Sequence, residues 1–83
     1  MFNIILAAGL ACLPTPDVHQ NLADLGESRV MAGLSDKGAI IEIWAAPTGS
    51  WTALVSFPDG RTCLLDAGQG YLSFPFEPAG EPA

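Results

Sequence analysis

Ala39-Ile40-Ile41-Glu42-Ile43-Trp44-Ala45, Trp51-Thr52-Ala53-Leu54-Val55-Ser56-Phe57 and Arg61-Thr62-Cys63-Leu64-Leu65-Asp66 follow one another with only Pro47-Thr48-Gly49-Ser50 and Pro58-Asp59-Gly60 as the main breaks. The first run is the strongest strand candidate, rich in β-branched and aromatic residues. The middle run alternates, with Trp51, Ala53, Val55 and Phe57 on one face and Thr52, Leu54 and Ser56 on the other. Breaks this short join antiparallel strands, because a parallel pair needs a long crossover. Upstream, Arg29-Val30-Met31-Ala32-Gly33-Leu34 reads as a further strand, closed by the turn Ser35-Asp36-Lys37-Gly38. The expected sheet is a four-stranded antiparallel meander, ending where Ala67-Gly68-Gln69-Gly70 interrupts the pattern.

Ahead of the sheet, Thr15-Pro16-Asp17 has the form of a helix start. Thr15 supplies a capping hydroxyl, Pro16 suits the first turn and Asp17 complements the helix dipole. Val18, Leu22 and Leu25 recur at helical spacing, and Gly26 suits a left-handed cap. We therefore expect an α+β fold with one short N-terminal helix packed on a face of the sheet. Its stripe is expected to cover Trp51, Val55 and Cys63. The chain divides into an apolar segment at 1–13, one domain at 14–73 and a Pro-rich acidic tail at 74–83.

The 83 residues carry 49% apolar and only 14% charged side chains, which excludes an intrinsically disordered chain. Three Lys and Arg stand against nine Asp and Glu, a net charge of −6. That charge repels phosphate backbones, so nucleic acid is not an expected partner. The apolar runs are too short for a membrane-spanning helix. Residues 4–13 resemble the apolar part of a secretory signal, but no Lys or Arg precedes them. They read either as a cleaved signal or as a strand or docking arm. Retention of Met1 would favour an assembly component, and cleavage a periplasmic or secreted protein.

Signals for chemistry are sparse. Cys12 and Cys63 lie far apart and outside any Cys-x-x-Cys motif, so they read as one disulfide or as two buried thiols. His19, the sole histidine, has no nucleophile motif near it and reads as a solvated helix residue. Glu42 is the one carboxylate in an apolar strand, facing solvent or pairing with Arg29 or Arg61 across the sheet. A hydrolase using Glu42, Asp66 or His19 is the third-ranked reading. Gly68-Gln69-Gly70 lacks the Lys and following helix of a phosphate loop. No metal-ligand cluster and no cofactor motif is present, and no catalytic residue is assigned.

More telling is an apolar excess. One helix covers one face of a small sheet, and large uncovered apolar patches mark interfaces. Ile40, Trp44, Leu54, Leu64, Tyr71, Phe74 and Phe76 are the expected interface residues, with a second copy or another protein as partner.

The pattern Gly26-Glu27-Ser28-Arg29, Gly49-Ser50-Trp51-Thr52 and Pro58-Asp59-Gly60-Arg61-Thr62-Cys63 resembles a group of short exported alphaproteobacterial proteins of unknown function, with similar small proteins expected in their tailed phages. The likeness spans residues 12–71 and rests on glycine, turn and Trp positions. It implies a disulfide between Cys12 and Cys63 and carries over no catalytic residue. The group's longer basic signal peptide is reduced to a stub here, and Leu25 replaces an aromatic residue. Two readings result. One is a non-enzymatic structural module that assembles through an apolar sheet face, as a cement, head or tail accessory of a phage particle. The other is an exported, disulfide-stapled periplasmic binding domain.

Overall fold

A computed structural model describes residues 11–75. Its elements in chain order are β1 (Cys12–Pro14), α1 (Thr15–Asp24), β2 (Ser28–Leu34), β3 (Ile40–Ala45), β4 (Trp51–Ser56) and β5 (Arg61–Gly68). The strands form one antiparallel sheet in the order β1-β5-β4-β3-β2. The meander is as expected, but the sheet has five strands rather than four. The additional strand, β1, is three residues long and ends in Pro14, too short for alternation to register. It lies along β5, with Cys12 opposite Cys63. β5 itself continues to Gly68, past the interruption expected at Ala67.

The three hairpins close alike. Gly38, Gly49 and Gly60 each take a positive φ and donate their N–H to the carbonyl three residues earlier, in Ser35, Ala46 and Phe57. Only glycine adopts that φ without a Cβ penalty. These turns recur every eleven residues and so fix strands of matching length in a single register.

The sheet has a hydrophobic cluster on each face. Under α1 lie Leu22, Trp44 and Leu54, joined by Val18 and Leu64. On the other face Ala39, Val55 and Cys63 pack with Cys12, Ile41 and Phe57. The helix therefore covers Trp44, Leu54 and Leu64, not the expected Trp51, Val55 and Cys63. Strand alternation explains the correction, since Thr62 and Cys63 are neighbours and must point to opposite faces. The Thr15 hydroxyl binds Gly60 O at 3.0 Å and the Thr62 hydroxyl at 2.7 Å, drawing the first helical turn to the Thr62 face. Thr15 consequently does not cap the helix; Pro14 is the N-cap residue, and no side chain caps it. Thr62 is fully buried and also shares a hydrogen bond with Ser56 at 2.7 Å, so its hydroxyl is satisfied on both sides. Leu25 leaves the expected stripe and is exposed.

Candidate functional site

Two buried carboxylates lie on or beside the helix-covered face. Glu42 of β3 is 3% exposed. Its neighbours in register on that face are Leu54 of β4 and Ala32 of β2. The indole N–H of Trp44 donates to Glu42 Oε1 at 2.8 Å, and Arg29 Nη1 donates to Oε2 at 2.9 Å. His19 Nε2 approaches Oε1 at 3.3 Å without hydrogen-bond alignment, and its ring lies 4.9 Å from that of Trp44.

A bulge delivers Arg29 to this cluster. Arg29 pairs with Trp44 and Met31 with Ile43, so Val30 is an extra residue in the ladder. Without it, strict alternation would place Arg29 on the opposite face from Glu42. Burial is the largest influence on the Glu42 carboxyl and pushes its pKa up. The Trp44 and Arg29 hydrogen bonds and the charges of His19 and Arg29 together outweigh it, holding the carboxyl below its ordinary range. Both oxygens accept a hydrogen bond, and the acid is stabilised in its ionised form. These contacts tie β2 to β3 beneath α1.

The second carboxylate is set by the end of α1. Gly26, at φ 85°, donates its N–H to Ala23 O, and Glu27 donates to Leu22 O. These two bonds satisfy the last helical carbonyls and reverse the chain through a left-handed glycine. Glu27 is thereby turned inward, 5% exposed, and accepts a hydrogen bond from Ser50 Oγ at 3.0 Å. Its Oε1 is buried with no hydrogen-bond partner among the described residues. Glu27 also lines a cleft of about 400 Å³, together with Leu25, Ser50, Trp51, Thr52, Ala67, Gly68 and Gln69. Nothing lies within 4 Å of a Cβ placed on Gly26, so Gly26→Ala is a purely conformational change. It should cost about 1 kcal/mol, the penalty for a Cβ at positive φ, and be read as a lowered urea midpoint at constant m.

The expected site residues are distributed unevenly. Cys12 and Cys63 are joined as a disulfide. Trp44 and Leu54 are corrected from interface to core, because the helix rests on them. Leu64 packs partly buried against the same cluster. Ile40 is exposed, beyond the reach of the helix, and Phe74 is exposed after β5. Tyr71 is half-buried and its N–H donates to Gly49 O. Phe76 lies outside the described residues, as do residues 1–10 and 76–83.

His19 and Glu42 do come together, while Asp66 stands apart on the other face, opposite Ala53 and bonded to the N–H of Ala67. The His19 contact escaped the sequence reading. Its available signal was the spacing of His19 three residues before the core residue Leu22. Nothing in the sequence around Glu27 signals its burial, which depends on the chain reversal at Gly26. Among the described residues no group of three or more His, Cys, Asp or Glu is placed to hold a metal ion. No described helix is long and apolar enough to cross a membrane. No protein-family model, curated protein or solved structure matches this chain.

Proposed function

We propose that this chain is a non-catalytic assembly module that pairs with a second copy of itself through the outer edge of β2 and the apolar residues beside it. The observation that supports this reading is the exposure of every residue of β2, the outermost strand of the sheet. An edge strand offers unpaired N–H and C=O groups, and proteins that stay monomeric blunt such edges with Pro, charges, bulges or very short strands; in β2, Arg29 and the Val30 bulge lie at one end and Met31 to Leu34 run in regular register. The opposite edge, β1, is blunted by its length and by Pro14. β2 has seven residues, neither Pro nor Lys, and a single bulge. Val30, Met31 and Leu34, with Ile40 on the neighbouring strand, are large exposed apolar side chains along it. Two such edges brought together about a twofold axis would extend the sheet across both copies, an isologous interface. Both Glu42 oxygens are taken up by Trp44 and Arg29, which supports the non-catalytic part of the reading.

Light scattering on gel-filtered protein at micromolar concentration should report a dimer. Met31→Lys, which adds a charge at an exposed position, should report a monomer with an unchanged circular dichroism spectrum. A wild-type chain that is strictly monomeric under these conditions would overturn the proposal. A module of this kind suits a cement, head or tail accessory of a phage particle, where small subunits pack edge to edge. The Cys12–Cys63 disulfide favours the second reading, an exported periplasmic binding domain, because disulfides persist in oxidising compartments. The intact mass from the native source separates the two: Met1 retained supports the particle, loss of about the first ten residues supports export.

A further inference from the structure

We infer that the cleft beside Glu27 is a binding site for an organic cation, an ammonium or guanidinium group carried on an apolar stem. The inference is independent of pairing through β2. A buried carboxylate is ordinarily matched by a cation or by a full set of hydrogen bonds. Glu27 has one bond, from Ser50 to Oε2, and none to Oε1 among the described residues. The chain offers no Lys or Arg to complete it. Its three are Arg29, committed to Glu42, Arg61, committed to Asp59, and Lys37, in the turn at the far end of β2. A cation supplied from outside completes this carboxylate, and the net charge of −6 favours its approach.

The rest of the lining selects the stem. Leu25, Trp51, Ala67 and Gly68 supply apolar surface in the cleft that Glu27 also lines. The Trp51 ring is held in place. Its N–H donates to Gln69 O at 3.1 Å, and it packs so closely on Gly68 that a Cβ there would come within 3.1 Å of the ring. An indole and a carboxylate lining one cleft are a pairing suited to alkylammonium and guanidinium groups. At about 400 Å³ the cleft has room for a group the size of a lysine or arginine side chain. Leu25 is 67% exposed at the end of the helix, so it can yield to an entering stem without disturbing the core.

The test is a titration of the full-length protein followed through backbone amides and indole N–H groups by NMR. The probes are butylammonium, methylguanidinium, a short lysine-containing peptide and, as neutral control, 1-butanol. We expect saturable shifts at Ser50, Trp51, Thr52 and Gly68 with the cations and none with butanol. A response to butylammonium identifies a free amine as sufficient, and a response to the peptide alone identifies a protein-borne side chain as the ligand. Glu27→Gln, nearly isosteric, should weaken binding by roughly tenfold or more, the loss expected when a charged hydrogen-bond partner is neutralised. Equal shifts with butanol, undiminished binding by Glu27→Gln, or no saturable shift with any cation would each overturn the inference. Should Glu27→Gln fail to fold, the comparison of butylammonium with butanol on the wild-type chain decides alone.

Discussion

Cys12→Ser should lower the melting temperature by roughly 15–30 °C, the largest single effect expected in this molecule. The bridge joins residues separated by 51 positions and encloses α1, β2, β3 and β4 within its loop. In the chain-entropy account, closing a loop of that length removes about 4 kcal/mol of conformational freedom from the unfolded chain. A domain this small holds only a modest core, so that amount is a large share of its stability. The bridge also anchors β1, whose three residues could not stay paired by ladder bonds alone. Cys63→Ser should be worse than Cys12→Ser, because Cys63 is 1% exposed and its replacement buries a new hydroxyl, whereas Cys12 is half-buried. Thermal melts followed by circular dichroism, with and without reductant, check both points. Reduced wild type should melt close to Cys12→Ser, and a melting point insensitive to reductant would show that the bridge contributes little.

The elements that were legible in the sequence are those whose signals are local. The β3–β4–β5 meander follows from alternation and from glycine-containing turns, and the structure has these strands with the expected hairpins. The helix followed from the Val18 and Leu22 spacing, and its end from Gly26. What failed was long-range. The expected cover of Trp51, Val55 and Cys63 fails because Cys63 and its neighbour Thr62 cannot share a side, and the helix start is bonded to Thr62. The hydroxyl contacts from Thr15 to Gly60 and Thr62 that settle the matter span more than forty residues. Of the two arginines considered for Glu42, the choice of Arg29 depends on the bulge at Val30, and no residue type announces a bulge in a run such as Arg29-Val30-Met31. Trp44 and Leu54 read as interface residues because their apolar character was visible and their cover was not. Glu27 was hidden for the same reason: one glycine turn decides whether the residue after it faces water or the sheet.

Glu42 carries the second large effect. Glu42→Ala should cost about 3 kcal/mol, the low end for breaking a buried pair, because Arg29 is half-exposed and its attraction is partly screened. The loss has three parts. Arg29 loses its acceptor, the Trp44 N–H is left buried without one, and a void opens beside Leu54. Glu42→Gln separates charge from shape: its carbonyl can still accept from Trp44, but its amide then opposes the Arg29 donor. It should therefore lie between wild type and Glu42→Ala in urea unfolding at neutral pH. The acid limb gives the sharper test. The folded Glu42 carboxyl ionises below its ordinary value of 4.5, so the unfolded chain takes up the proton more readily. Its contribution is complete above that ordinary value and is lost as pH falls through the lower folded value. Asp59, also lowered by the Arg61 backbone N–H, acts in the same window, and the difference between wild type and Glu42→Gln removes it. That difference should shrink as pH falls below about 4.5, the ordinary glutamate value. A difference that stays constant down to strongly acidic pH would mean that Glu42 is held by shape alone, and that the Arg29 bridge delivered by the Val30 bulge contributes nothing to stability.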